Sequence, residues 1–248
     1  MTAGIRARAI AIVPVRVNSQ RLPGKALLKE SGKELFLHTC DQAVAARCFD
    51  RVLVATDDDL VDAAARRHGL GVVRTSPSPR TGSERCAEAV RDLDCDAVID
   101  IQGDWPEVAP RDLEALTEQL LAGKAACNTL AVPLEESRID DANVVKVVRG
   151  LSGRALYFSR AAIPFVKDGT FGRLRHIGVY GFTRETLLRV PGLPSSGLAE
   201  AESLEQLRFL ENGIEMHVLM ATSAPWGIEA RPDYDAFLQR LQQRGQRS

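Results

Sequence analysis

The chain has 248 residues, with 32 Lys and Arg against 33 Asp and Glu, a formal charge of −1; it is 45% hydrophobic and 26% charged. That is ordinary globular composition, long enough to bury a sizeable core, and it excludes both the general basic excess of nucleic-acid binders and an acidic solvating tail. No apolar run approaches the roughly 20 residues of a membrane span.

Five cysteines without a C-x-x-C pair and four scattered histidines argue against a zinc site. The odd cysteine count points to reduced thiols. The early apolar stretch is too short for a secretory signal and is ended by Pro14 and Arg16. Both features predict a cytoplasmic location.

Short β-rich runs then alternate with helical periods. The run AIAIV (residues 9–13) leads through a loop to a helix over 34–47. RVLVA (51–55) leads to the acids TDDD and a helix through 67. GVV (71–73) leads to a polar loop and a helix near 84–91. AVIDIQ (97–102) leads to GDWP and a helix near 111–121. Buried runs joined by helices predict an α/β fold with a mostly parallel central sheet and helices on both faces. Right-handed connections of this kind gather the loops at the carboxyl edge of the sheet.

The pattern changes after residue 127. NTLAVPL (128–134), NVVKVV (143–148), ALYFSR (155–160) and HIGVYGF (176–182) read as strands with few helices between them. A helix over 198–211, a strand MHVLMA (216–221) and a last helix over 233–243 follow. With no repeat, low-complexity tract or linker, the simplest organisation is one domain over 1–248 with a β-rich insertion around 128–195.

Three groups of residues carry chemistry. The loop PVRVNSQRLPGKAL (14–27) offers Arg16, Arg21 and Lys25, with Gly24 permitting close backbone approach. Arg forks and Lys point charges suit phosphate, although a solvated loop with incidental cations has the same composition. It is neither a Walker loop nor a G-x-G-x-x-G fingerprint. In IQGDWP, Asp104 sits just past a strand end. It reads either as a turn or helix-capping Asp or as a Mg²⁺ ligand facing the cationic loop. In TDDD, Asp57 or Asp58 is expected to cap the next helix. In TGSER, Ser83 is expected as an N-cap, and Thr81, Gly82 and Ser83 offer backbone groups to a ligand. No Ser-His-Asp order with a nucleophile elbow is present.

The stretches PVRVNSQRLPGK, RVLVATDD, TGSERCAEAV, IQGDWPEVAP, NTLAVPL, NVVKVV, ALYFSRAAIP, RHIGVYGF and LEQLRFLENG, in this order and over nearly the whole chain, resemble the 3-deoxy-manno-octulosonate cytidylyltransferases (CMP-Kdo synthetases). The resemblance implies a nucleotide-diphospho-sugar transferase-like fold. It also implies transfer of CMP from CTP to the anomeric hydroxyl of a 2-keto-3-deoxy sugar acid, with Mg²⁺ and commonly a homodimer. By position, Arg16, Ser19, Arg21 and Lys25 would hold the triphosphate. Thr81, Gly82 and Ser83 would lie near the cytosine, Gln102, His176, Tyr180, Glu205 and Gln206 would line the sugar-acid pocket, and Asp104 and Glu229 would bind the metal. The β-rich part would serve sugar binding and dimerisation.

The chain departs from the family pattern at three places. Trp105 replaces the Glu of QGDEP, Glu200 stands where a His is usual, and GIEARPDYD replaces GVDTPEDL, so that Glu229 takes the place of a metal-binding Asp. The departures surround the sugar and the metal. They predict retained nucleotide chemistry with an altered acceptor, such as an amino-substituted Kdo paired with Glu200, or a sugar stacked on Trp105. The alternatives are another acceptor, such as a sugar phosphate or phosphonate, and a catalytically silent nucleotide-binding homologue.

Overall fold

The computed structural model describes residues 8–17 and 21–245. Strand β1 (Ala9–Pro14) is buried at every residue. It pairs in parallel with β2 (Arg51–Thr56) on one side and β4 (Ala97–Ile101) on the other, and β3 (Gly71–Arg74) extends the sheet beyond β2. Next to β4 lies the long β8 (Leu174–Thr183), which runs antiparallel to both β4 and β5 (Cys127–Pro133). At the far edge, β9 (Met216–Met220) is again parallel to β5. The order is β3-β2-β1-β4-β8-β5-β9, with β6 (Lys146–Arg149) and β7 (Ala155–Ser159) forming a hairpin that joins the sheet through β8.

Strand side chains alternate between the faces, and each face is covered. Ala9, Ala11 and Val13 pack with buried residues of α1 (Leu35–Ala45), α2 (Asp59–Arg67) and α4 (Pro110–Leu121). Ile10 and Ile12 point the other way, into a cluster with α3 (Gly82–Ala89), α5 (Arg184–Arg189) and, beyond α6 (Gly197–Glu202), α7 (Glu205–Glu211). Burial on both faces is why β1 and β4 read as continuous apolar runs. The last helix, α8 (Arg231–Gly245), seats Tyr234 and Phe237 against Leu35 and Ile228.

Four local expectations need correction. The helix over 198–211 is two helices, because Ser203 adopts a left-handed conformation (φ 53°) and ends α6. The break is tied from outside: Arg160 donates to the carbonyl of Glu202 (2.8 Å), and the Glu202 carboxylate accepts from Ser159 Oγ (2.5 Å) and Arg160 N (2.9 Å). The helix after residue 82 starts earlier than expected and is capped by Thr81, which accepts from Glu84 N (3.2 Å), so Ser83 is not the cap. Helix α5 follows β8 directly, where no helix was expected, with Thr183 as its cap. Strand β6 begins only at Lys146, because residues 141–144 turn about Asp141, which accepts from Asn143 N (2.9 Å). The expected cap on α2 is Asp58, which accepts from Leu60 N (2.8 Å) and Val61 N (3.0 Å).

The carboxyl ends of β1 and β4 leave the sheet side by side. A Cβ on Gly103 would lie 3.2 Å from Val15 and 3.3 Å from Phe36, so glycine lets the two strand exits touch. A second tie holds the β-rich part. Lys146 is fully buried and donates to the carbonyls of Asp141 (2.8 Å), Val144 (2.8 Å) and Arg160 (2.6 Å). One ammonium thereby satisfies three backbone acceptors from two segments that border the central cavity.

Replacing Lys146 with Met would leave those carbonyls unpaired. The expected cost is about 3 kcal/mol, or a fall in melting temperature of about 6–12 °C for a chain of this size. A thermal melt of Lys146→Met that matched the parent would show that this ammonium organises nothing.

Candidate functional site

Two adjoining cavities open at the carboxyl edge of the sheet. The larger, of about 1000 Å³, is lined among others by Arg21, Thr81, Gly82, Gln102, Asp104, His176, Tyr180, Glu205, Gln206 and Glu229. A recess of about 240 Å³ lies between the exits of β1 and β4, against Arg16, Lys25, Gly82, Gln102 and Asp104. Gly82, Gln102 and Asp104 line both. The sheet thus brings together, at one edge, residues spread from position 16 to position 229, as expected for ligand sites in open α/β sheets.

The three loop cations each hold a different wall. Arg16 donates to the carbonyls of Pro79 and Thr81 (3.0 Å to the latter), and burial is the main cause lowering its pKa. Arg21 pairs with Glu229. Lys25 pairs with Asp104 (2.5 Å) and also donates to the carbonyl of Ile228 (2.8 Å). Ser19 lies outside the described residues. The two expected metal carboxylates, Asp104 and Glu229, therefore face the loop cations directly. Both are partly exposed, at 27% and 40% of the side chain, so water weakens these pairs and an incoming polyanion can displace the carboxylates from them.

Deeper in the cavity lies a chain of buried polar groups. Asp100, fully buried on β4, accepts from Gln102 Nε2 (2.7 Å) and Ser83 Oγ lies 3.0 Å from its other oxygen. Ser83 Oγ is also 3.3 Å from Glu205 Oε1. Burial, and secondarily the charge of Glu205, raises the Asp100 pKa to about 8. Burial also raises that of Glu205. A neutral Asp100 can donate to Ser83, whose own proton is then free for Glu205. Ser83 is fully buried, so its side chain faces these acids and does not line the cavity, whereas Thr81 and Gly82 do. A Cβ on Gly82 would fall 2.1 Å from the Gln102 amide, so a side chain there would have to push Gln102 aside.

His176 and Tyr180 are buried neighbours on β8. Thr129 Oγ donates to the carbonyl of Val179 (2.7 Å) and so accepts from His176 Nε2 (2.9 Å). That leaves Nδ1 of the ring as an acceptor. Burial, reinforced by Arg175, lowers the His176 pKa to about 3 and keeps the ring neutral. Tyr180 donates to Gln206 Oε1 (3.3 Å). Helix α7, which carries Glu205 and Gln206, is fastened to α3 by the Arg208–Glu84 ion pair (2.8 Å).

The departures from the family pattern also have places. Trp105 is wedged between β8 and the 226–228 segment, because a Cβ on Gly178 would lie 3.1 Å from its Nε1 and one on Gly227 would lie 3.2 Å from the ring. Its ring borders the cavity while packing against the core. Glu200 stands exposed at the cavity rim, and Glu229 pairs with Arg21. Three further residues of the site escaped the sequence reading. Asp100 was visible only as one acid inside the apolar run AVIDIQ, Arg175 as the residue before His176, and Trp226 as an isolated aromatic. Among the described residues no cluster of three or more His, Cys, Asp or Glu could hold a metal alone, and no helix is long and apolar enough to cross a membrane.

A family model described as cytidylyltransferase matches residues 10–217. The 3-deoxy-manno-octulosonate cytidylyltransferase of Chlorobium limicola is 41% identical over 233 residues, covering 92% of this chain and 94% of that protein. The enzyme of the same name from Nitratidesulfovibrio vulgaris is 40% identical over 240 residues, covering 94% and 95%. Among solved structures, a CMP:2-keto-3-deoxy-manno-octonic acid synthetase complexed with CTP superimposes with a TM-score of 0.91 at 31% identity, covering 96% of this chain and all of that one. A 4-diphosphocytidyl-2C-methyl-D-erythritol synthase from Anaerococcus prevotii shares the fold (TM-score 0.65, 14% identity, covering 95% of this chain and 99% of that one).

The raised pKa of Asp100 has a sign. The folded chain keeps a proton that the unfolded chain loses near pH 4, so this residue makes stability fall as pH rises from about 4 to about 8. Asn at this position can make the hydrogen bonds of the neutral acid without that penalty. Asp100→Asn should melt above the parent at pH 8, by about 1 kcal/mol or more, and the difference should shrink toward pH 5. A difference that does not vary with pH would mean that Asp100 is ionised in the folded protein.

Proposed function

The chain belongs to the cytidylyltransferase family, and on that premise we propose that it transfers CMP from CTP to the anomeric hydroxyl of 3-deoxy-manno-octulosonate, a 2-keto-3-deoxy sugar acid, releasing diphosphate. The observation that carries this reading is the pairing of Lys25 with Asp104 and of Arg21 with Glu229 where the recess between β1 and β4 meets the large cavity. Cations for a triphosphate and carboxylates for a metal stand there side by side.

Arg16, Arg21 and Lys25 hold the triphosphate and stabilise the charge that builds on the departing diphosphate. As phosphate oxygens take over the cations, Asp104 and Glu229 are released from their pairs. Both are hard oxygen donors, and Asp104 and Glu229 would be the residues that hold Mg²⁺. When bound, Mg²⁺ supplies charge neutralisation at the phosphates and acidifies a nearby hydroxyl. Thr81 and Gly82 border the space for the cytosine. Gln102, His176, Tyr180, Glu205 and Gln206 orient the sugar acid, with neutral His176 as a hydrogen-bond acceptor. Holding acceptor and α-phosphate in line supplies the rest of the acceleration.

A sugar-acid acceptor is favoured over a sugar phosphate or phosphonate by identities of about 40% over nearly the whole chain to enzymes named for that reaction. Glu200, exposed at the rim, offers little to an ammonium in water, so an amino-substituted acceptor gains no strong partner there. A cytoplasmic location agrees with five free thiols, four of them buried. A homodimer agrees with the exposed apolar side chains Leu151, Leu156, Phe165 and Phe171 on and beside the β6–β7 hairpin.

With CTP and Mg²⁺, diphosphate release should be seen with 3-deoxy-manno-octulosonate and not with sugar phosphates or phosphonates. Binding of CTP without release from any sugar acid would sink the assignment. Lys25→Ala or Arg21→Ala should lower turnover about a hundred- to a thousandfold; full activity in either would remove that residue from the phosphate site. Light scattering should give twice the chain mass, and Leu151→Asp combined with Phe165→Asp should shift it toward a monomer.

A further inference from the structure

The segment that follows Trp226 is fastened to the rest of the site from two sides. Ile228 N donates to the carbonyl of Asp104 (2.9 Å), and the Ile228 carbonyl accepts from Lys25 (2.8 Å). One residue thereby ties the loop lysine and the first metal carboxylate to the backbone next to the second, Glu229. Helix α8 begins just beyond, at Arg231. Its place is set by contacts that reach back to the same strand exits. Arg240 and Arg244 both pair with Glu107 (2.6 Å and 2.8 Å), which lies just past Asp104 in the chain and has a side chain only 7% exposed. Tyr234 and Phe237 pack on Leu35 and Ile228.

The start of α8 lacks an ordinary cap. The residue before Arg231 is Ala230, whose side chain has no oxygen to offer the N–H groups of the first turn. Asp233 reaches back instead. One of its carboxylate oxygens accepts from Ala230 N (2.8 Å) and from Glu229 N (3.0 Å). The first bond is half of a capping box, and a carboxylate in this turn also suits the positive end of the helix. The second bond fixes the amide of Glu229, and with it the point from which that side chain leaves the backbone. Glu229 pairs with Arg21 at the cavity mouth. A Glu side chain has more rotamer freedom to lose than an Asp when it is held, so a fixed backbone matters more to it.

We propose that Asp233 is a positioning residue for Glu229: it sets the affinity of the site for Mg²⁺ through the backbone, without touching the ion. The proposal rests on the assignment of Asp104 and Glu229 as the metal carboxylates, argued above. Partners that orient a ligand carry a large share of metal affinity. The role needs a hydrogen-bond acceptor and no charge. Asn at 233 keeps an acceptor oxygen of the same reach, and Ala keeps none. Asp233 also borders the cavity, and a direct contact with Mg²⁺ would need its carboxylate.

The test measures CTP affinity by calorimetry in Mg²⁺ and in EDTA, so that the ratio of the two reports the metal's contribution without turnover. The parent should bind CTP more tightly in Mg²⁺. Asp233→Ala should lose most of that gain, about 10-fold or more in affinity. Its affinity in EDTA should match the parent's, which also reports a folded chain. Asp233→Asn should keep most of the gain. Glu229→Gln should lose the gain by itself, and Asp233→Ala added to it should take little more, because residues that act through one another are not additive. Equal losses in Mg²⁺ and EDTA would make Asp233 a structural cap only. A loss in Asp233→Asn as deep as in Asp233→Ala would make it a ligand or a counter-charge. Either result overturns the proposal. An intact gain in Asp233→Ala beside a lost one in Glu229→Gln would also overturn it and leave the metal assignment standing. A gain unmoved by Glu229→Gln would refute the metal assignment, and the proposal with it.

Discussion

The parallel pairing of β1 with β4 is the constraint on which the site depends. Its register sets Ile12 against Asp100, so the two chains leave the sheet side by side, one carrying Arg16 and the other Gln102 and Asp104. Gly103 lets the exits touch, because any side chain there would meet Val15 and Phe36. Residues nearly ninety positions apart in the chain then share one recess. The cations of the loop and the carboxylate of Asp104 meet as a consequence of strand order. The helices on either face fix that order by burying β1 completely.

Charge in the cavity is distributed by depth. At the mouth, cations and carboxylates are partly wet and paired with each other, so they can exchange partners for phosphate at modest cost. Further in, water is scarce, and the groups are either neutral or locked. Asp100 keeps its proton, His176 lacks one, and Ser83 links Asp100 to Glu205. Arg175, nearly buried on β8, meets the face of the Trp226 ring at 3.9 Å. The outer zone suits a ligand that arrives with its own cations, and the inner zone suits one recognised by shape and hydrogen bonds.

Much of this was legible in the chain itself. The strands β1, β2 and β4 showed as apolar runs because both their faces are buried, and the loop cations, Asp104, His176 and Glu205 stood out by motif. The break at Ser203 was not legible. The stretch LAEAESLEQLR holds strong helix formers and neither Gly nor Pro; what ends α6 is a set of bonds from Ser159 and Arg160, forty residues away in sequence. The inward turn of Ser83 was hidden for the same reason. A Ser at a helix start reads as a cap, and only the fold places a buried acid beneath it. Arg175 was masked by its neighbour, since a strand residue beside a conspicuous His attracts no notice until its place against the Trp226 ring can be seen.

Trp105 carries a consequence for how such a chain can change over generations. Its ring fits because positions 178 and 227 both lack a side chain. The three positions are therefore bound by order of events. With Trp present, a methyl group at either glycine would crowd the indole at 3.1–3.2 Å and the ring would have to give way, while a smaller residue at 105 would remove that contact. In a lineage holding this triad, a change at 178 or 227 is easier once position 105 has shrunk. The wall of the cavity thus couples the history of three positions, with the largest residue favoured to change first.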